Sequence, residues 1–302
     1  MSLLVVGSVA FDSVKTPFGE VEEAQGGSAF YFSLAAGFFN DIRMVAVVGE
    51  DFPEEQIDLL KNRNVDTEGL QRVSGRTFRW KGEYGYELNE AHTLDTQLNV
   101  FESFSPEIPE SYRDSRYVFL GNIDPELQMK VLGQVRNPEF VGLDTMNFWI
   151  GGKRDALIEA LKRVDMLTIN DAEARQLTEE VNLVQAARKI HSYGPKILII
   201  KRGEYGVLMF NGSQTFSAPA YPLDAVFDPT GAGDSFAGGM MGYLSNVQNI
   251  NDETLRRAII FGSVMASYNV EDFSVKRLCE ISYRDIEKRF KMFKTLTYFE
   301  DI

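Results

Sequence analysis

The apolar residues of this chain come in short runs separated by stretches of helical spacing. Runs bounded by turn residues suit strands buried on both faces, as in a parallel sheet. They occur at 3–7, 43–49, 117–121, 140–144, 166–170 and 196–201. Between them, 127–135, 156–164 and 183–193 repeat their apolar positions with helical period, and 53–62 does so behind Pro53, which suits a first helical turn. Residues 28–37 form another predicted helix, with Ser28 as its cap, and 252–266 one more. Strands alternating with helices in this way predict an α/β architecture with a mostly parallel central sheet flanked by helices.

Two stretches break the rhythm. Arg76 to Tyr84 alternates polar and aromatic residues, and 91–100 is strand-like with polar faces. Such alternation fits an exposed antiparallel sheet better than a buried parallel one. It predicts a small β lid inserted over roughly 72–103, joined by part of 13–25. Closing a lid of this kind would exclude water from a site beneath it. The whole chain, 1–302, is read as a single domain carrying that insertion, with no internal repeat or low-complexity segment.

One stretch carries unusual chemistry: Asp228-Pro229-Thr230-Gly231-Ala232-Gly233-Asp234-Ser235-Phe236-Ala237-Gly238-Gly239. Pro229 ends any strand before it, since its ring fixes φ and it has no N–H to give. Gly231 and Gly233 let the backbone turn sharply and bring N–H groups close to a ligand. From Asp234 the spacing turns helical, with Phe236, Met240, Tyr243 and Leu244 on one side. A glycine-rich turn feeding a helix N-terminus attracts an anion such as phosphate. Asp234 there suits removal of a proton from a hydroxyl about to attack that phosphate, although Asp is also a favoured helix cap.

Other candidates fall at the carboxyl ends of strands, the edge where open α/β sheets bind ligands. Asp12 lies where the chain leaves the first run; a lone Asp in a loop is also commonly just solvated. Asn170-Asp171-Ala172-Glu173 closes another run, and Asn with Glu three residues on is a capping box in its own right. Lys201-Arg202-Gly203-Glu204-Tyr205-Gly206 reads as a hairpin turn, continued by 207–210 and the Asn211-Gly212 turn.

The run from Asp228 to Gly239 resembles, letter for letter, the C-terminal signature of the PfkB (ribokinase-like) carbohydrate kinase family. Further motifs follow in family order over essentially the whole chain. The resemblance implies a ribokinase-like three-layer sandwich with a small β-sheet lid. It implies transfer of the γ-phosphoryl group of ATP to a hydroxyl of a small sugar, with Asp234 as base and the amides of Gly231, Ala232 and Gly233 as anion hole. A nucleoside kinase of the same fold is the alternative; a non-catalytic sugar or nucleotide sensor would have no need of the base.

The family pattern also assigns the remaining candidates. Asp12 and the backbone of Gly26-Gly27 would hold the acceptor. Asn170 and Glu173 match the magnesium and phosphate element, Glu173 acting through a water because Mg²⁺ keeps several of its own. Lys201, Gly203 and Gly206 match a K-x-G-x-x-G loop that packs on the nucleotide. Ser263 falls where relatives often carry a nucleotide-contacting Asn, and Ser274 where a glycine is usual. Asp228 and Thr230 match part of a site for a monovalent cation such as K⁺. Asp144, with Asn147 after it, loosely matches an Asp-x-Asn pattern. Phe30, Tyr31 and Phe32 depart from the small or amide residues that usually follow the glycine pair. Successive helical residues point about 100° apart, so at most one or two of the three can face an acceptor and the rest must fill core.

Composition narrows the partners. With 44% hydrophobic and 25% charged residues, the 302-residue chain has the balance of a soluble globular protein. A net charge of −13 argues against nucleic acid or an anionic membrane as partner, but not against a nucleotide held by local amides and cations. Cys279 is the only cysteine, which rules out an internal disulfide and fits a reducing cytoplasm. His92 and His191 are far apart and lack thiol partners, so no zinc site is expected. The apolar start, 1–10, lacks a basic region and is too short for a signal peptide, and no run reaches the roughly 20 residues that span a bilayer. A cytoplasmic location is expected. Exposed edges on the predicted lid would suit a homodimer, and the basic run 288–291 reads as a solvated helix face.

Overall fold

The computed structural model describes residues 2–300. Its strands in chain order are β1 (Leu3–Val6), β2 (Ala10–Thr16), β3 (Gly19–Gly26), β4 (Ile42–Val48), β5 (Val65–Arg72), β6 (Phe78–Tyr84), β7 (Ala91–Gln97), β8 (Tyr117–Leu120), β9 (Phe140–Asp144), β10 (Met166–Asn170), β11 (Ile197–Lys201), β12 (Val207–Asn211) and β13 (Gln214–Ala218). The helices are α1 (Ser28–Ala36), α2 (Glu54–Lys61), α3 (Pro125–Leu132), α4 (Asn147–Gly152), α5 (Arg154–Leu161), α6 (Asp171–Thr178), α7 (Leu183–Tyr193), α8 (Ala232–Leu244), α9 (Asp252–Asn269), α10 (Lys276–Glu280) and α11 (Tyr283–Leu296).

Nine strands form one sheet in the order β13-β12-β11-β10-β9-β8-β1-β4-β5. It is parallel from β11 to β5, and β12 and β13 add an antiparallel edge. The apolar runs explain this, because each strand must bury both faces. Leu3 and Val5 point into one core, with α1, α2, α8 and α9; Leu4 and Val6 point into the other, with α3, α5, α6 and α7. The chain is thus the three-layer, ribokinase-like α/β sandwich expected. Small residues seat α8 between its neighbours. A Cβ at Gly238 would press into the Phe32 carbonyl of α1, and one at Gly239 would meet Met265 Cγ of α9 at 2.6 Å.

Four strands form a second, smaller sheet in the order β3-β2-β6-β7. It is not wholly antiparallel as predicted: β2 and β6 run parallel, because each is the first strand of its own hairpin and the two hairpins join side by side. Residues 99 and 100, expected to end the second strand-like run, belong instead to a short 3-10 helix, Asn99–Ser103. Strand β5 was not predicted at all. It is an edge strand whose residues are half polar, so it lacks the apolar run that marks its neighbours.

Three local expectations are corrected. Ser28 does not cap α1; Gly27, at φ 95°, holds that position. Ser28 instead accepts the Ser8 N–H at 3.1 Å while its own N–H donates to Ser8 Oγ at 3.0 Å, which ties the helix start to the end of β1. Pro53 precedes its helix as the cap rather than sitting in the first turn. Arg289, in the basic run on α11, is not solvated: its guanidinium lies 3.4 Å from the Tyr268 ring centre and pairs with Glu271 at 2.6 Å.

The seating of α8 can be tested directly. Gly238→Val should cost about 1–3 kcal/mol by forcing α1 and α8 apart, read as a lower denaturation midpoint. Gly133→Ala, where a Cβ would meet nothing closer than 3.5 Å, should leave the midpoint unchanged.

Candidate active site

Helix α8 begins at Ala232 because Gly231 turns the chain with φ 74° and ψ 0°, a left-handed conformation that favours glycine. A Cβ there would also run into the ring of Tyr31. Asp228, only 1% exposed, holds the turn from behind: one carboxylate oxygen accepts the Thr230 N–H at 2.9 Å and the other the Ser274 N–H at 3.0 Å. Asn269 donates to the Thr230 carbonyl at 2.7 Å and accepts from Ser235 at 3.1 Å. Of the amides expected to form an anion hole, that of Ala232 donates to the Pro229 carbonyl at 3.2 Å. Those of Gly231, Gly233 and Asp234 have no backbone partner among the described residues, and so remain free for an anion.

Asp234 sits at this turn in a half-buried position. Burial, and then the charge of Asp144, push its carboxyl up to about 7, with Lys201 pulling the other way. Near neutral pH such a group both holds and releases a proton, which is what a general base requires.

Asp12 was expected in a loop after β1. It lies instead within β2, in register with Ala24 of β3 and Trp80 of β6, beside a bulge. Its carboxylate rests against Gly26, where a Cβ would overlap it, and accepts the Gly27 N–H. Burial and the nearby carboxylates Asp228 and Asp234 raise it to about 8. Gly27 cannot carry a side chain either, since a Cβ would stand 2.6 Å from the Ser8 carbonyl. The glycine pair is therefore what lets the acid and the start of α1 meet.

The three aromatics after Gly27 divide as the helical geometry requires. Phe30 packs on Phe52, and Phe32 stacks on Phe119 at 4.6 Å, both as core. Tyr31 alone faces the turn. Its buried phenol lies near Asp12, Asp228 and Ser274, and burial and those two charges hold it protonated, well above its ordinary pKa. Ser274 adopts φ 57°, which explains why a glycine suits that position, and its hydroxyl donates to the Gln25 carbonyl at 2.6 Å.

The small sheet closes over the same region. The Tyr84 and Thr230 hydroxyls stand 3.3 Å apart, and Thr16 donates to the Phe227 carbonyl at 2.8 Å. Strand alternation puts Trp80 on the same face as Asp12 and Tyr84. At the hairpin tip, Asn89 rests against Gly203 in the loop between β11 and β12. Gly203 and Gly206 take φ 52° and 78° there, shaping the turn.

Asn170 and Glu173 form a complete capping box for α6: Glu173 N–H donates to Asn170 at 2.8 Å and Asn170 N–H to Glu173 at 2.9 Å. Glu173 is also raised to about 7, by burial first and opposed by Lys201. Among the described residues no three His, Cys, Asp or Glu side chains form a metal cage. The donor set still fits a hydrated Mg²⁺: a hard carboxylate whose burial a cation would relieve, with water and phosphate left to complete the shell. A monovalent cation at Asp228 and Thr230 would have to share oxygens that already accept amides. Ser263 lies half-buried on α9, packed along α8, and its side chain has no hydrogen-bond partner among the described residues.

Sequence reasoning missed that Trp80 stands in register with Asp12 and that Tyr84 and Asn89 reach the turn and the loop between β11 and β12. They come from strands and a hairpin tip far along the chain, and no spacing links them to Asp12 or Thr230. It also missed that Lys201, through Nζ, pairs with Asp144 at 2.9 Å.

With this geometry in hand, a family model described as pfkB family carbohydrate kinase matches residues 5–280. The chain is 32% identical over 250 residues to the cytidine kinase of Thermococcus kodakarensis, covering 80% of this chain and 87% of that one. It is 25% identical over 271 residues to the ribokinase of Lactococcus lactis, covering 85% and 87%. The solved aminoimidazole riboside kinase from Salmonella enterica, complexed with aminoimidazole riboside and an ATP analogue, shares the fold with a TM-score of 0.75 at 18% identity, over 96% of this chain and 100% of that one.

The raised carboxyl of Asp234 has a measurable sign. Its folded pKa of about 7 exceeds its ordinary 3.8, so the stability it contributes is fully present below 3.8 and lost as pH rises through 7. Asp234→Asn escapes that loss. The Tm of the variant minus that of the wild type should climb between pH 5 and pH 8 in calorimetry; a flat difference would show an unperturbed carboxyl.

Proposed function

The chain belongs to the pfkB family of carbohydrate kinases, and we propose that it phosphorylates a hydroxyl of a nucleoside. Members of the family are kinases acting on hydroxyls of sugars or nucleosides, with ATP and Mg²⁺. The acceptor hydroxyl gives its proton to Asp234 as its oxygen forms a bond to the γ-phosphorus and the bond to the ADP oxygen breaks. Catalysis of this kind is mostly positioning and charge stabilisation. Asp12 and the Gly26-Gly27 backbone hold the acceptor, and the free amides at Gly231 and Gly233 take up negative charge. Glu173 and Asn170 would hold, through water, the Mg²⁺ that accompanies the nucleotide, and the ion would neutralise phosphate charge. Lys201, Gly203, Gly206 and Ser263 border the nucleotide. The small sheet acts as a lid, touching the turn through Tyr84 and the nucleotide loop through Asn89. Strand β7, exposed along its length and paired among the described residues with β6 alone, gives two copies an edge at which to dimerise.

The observation that carries the nucleoside reading is Trp80, an indole in register beside Asp12 on the lid's inner face. An aromatic face can stack a base next to a carboxylate that grips the ribose. The identity to a cytidine kinase over most of both chains supports the same choice. A monosaccharide, favoured by the sequence alone, is the second reading: Asp12 and the glycine backbone can pair sugar hydroxyls without any base.

A coupled assay with ATP and a panel of cytidine, uridine, adenosine, inosine, ribose, fructose and a sugar acid tests this. A nucleoside should exceed every free sugar at least tenfold in kcat/KM. Trp80→Ala should raise the nucleoside KM about tenfold, as loss of a stacking contact worth about 1–3 kcal/mol implies, with the KM for ATP unchanged. A free sugar leading the panel would return the acceptor to the monosaccharides.

A further inference from the structure

Lys201 ends β11 and Asp144 ends β9, and their side chains meet across the end of β10, which lies between those strands. The Lys201 Nζ donates to one Asp144 oxygen at 2.9 Å, and the other oxygen accepts the Thr145 N–H at 2.9 Å. The carboxylate is thus held on both sides, and it is 5% exposed against 19% for the lysine. Asp144 is the only hydrogen-bond partner of the ammonium among the described residues, so two of its three N–H groups remain open. The lysine lies along the first turn of α8: a Cβ at Gly233 would stand 3.0 Å from Nζ, 3.7 Å from Cε and 3.8 Å from Cδ.

A buried ion pair of this kind is poor value as structure. Apolar residues of similar volume commonly serve as well or better, because both charges must be stripped of water. Here the pair stands at the crevice, beside the free amides of α8, where an anion is expected.

Resting on the kinase reading, we propose that Lys201 is a catalytic residue that touches the γ-phosphoryl group during transfer, and that Asp144 is the positioning residue that aims it. The lysine stays protonated throughout; the acceptor proton goes to Asp234, the new oxygen–phosphorus bond forms, and the electrons of the broken bond leave on ADP. As charge spreads over the equatorial oxygens of the phosphoryl group, the open N–H groups of Lys201 and the amides of Gly231 and Gly233 meet it from adjacent directions. This role differs from packing on the nucleotide, because ADP alone would not engage it.

The test compares wild type with Lys201→Met, Lys201→Arg and Asp144→Asn, and with Lys201→Met/Asp144→Asn, which leaves no stranded charge should the single variant fail to fold. Calorimetric binding of MgADP alone is set against binding of MgADP with aluminium fluoride, a planar mimic of the moving phosphoryl group. Lys201→Met should lower kcat by about 10²–10³ and weaken the aluminium fluoride complex by a similar factor, with MgADP affinity within about threefold of wild type. Lys201→Arg should recover part of the loss, and Asp144→Asn should lower kcat with little change in KM for ATP. Equal weakening of both complexes, or a kcat near that of wild type in either Lys201→Met background, overturns the proposal. If the wild type turns over no acceptor at all, the kinase reading fails, and the two binding measurements still decide whether Lys201 responds to the phosphoryl mimic.

Discussion

The turn from Asp228 to Gly233 depends on one buried carboxylate. Asp228 spends both oxygens on backbone amides, one within its own turn and one at Ser274, forty-six positions on. That clamp joins the segment before α8 to the segment after α9, and it holds Thr230 and Gly231 where the left-handed turn can form. Tyr31 fills the space that a side chain at Gly231 would need, so the ring and the missing Cβ are two halves of one packing arrangement. The unpaired amides at Gly231, Gly233 and Asp234 follow from this geometry. The free amides of α8 point into the crevice only because the chain arrives at that angle.

Acid is concentrated here at a cost. Asp12, Glu173 and Asp234 all carry raised carboxyls, and burial is the first cause in each. A fold selected for stability alone would not gather these groups in one place. Lys201 is the counterweight, lowering Glu173 and Asp234 and paired with Asp144. The same crowding gives Asp234 a proton affinity matched to neutral solution. Stability and reactivity are therefore opposed at one set of side chains.

The small sheet is built differently from the main one. Its β3 and β7 are largely exposed, whereas β2 buries five of its seven residues and packs Phe11 into the main core. Tyr84 and Thr16 touch the segment 227–230, and Asn89 touches Gly203 in the loop between β11 and β12. Strands with as few buried side chains as β3 and β7 can shift at modest cost.

Much of the architecture was legible in the chain itself. Residues 140–144, 166–170 and 183–193 were read at the bounds that β9, β10 and α7 adopt, because strands buried on both faces and strongly periodic helices leave an unbroken apolar signature. The motif from Asp228 to Gly239 was legible too, since its glycines and acid are contiguous. Elements with half-exposed faces were not: β5 was missed, and Asp12 was placed in a loop because β2 is a strand of a separate sheet only three residues beyond β1. Which of Phe30, Tyr31 and Phe32 faces the turn was decided by how α1 docks against α8. Likewise the ion pair between Asp144 and Lys201, and the approach of Trp80 and Tyr84, join residues brought together by strand order and by the pairing of β2 with β6. Local spacing records what a segment must bury; it holds no record of which distant segment will be its neighbour, and that pairing is settled only when the sheets assemble.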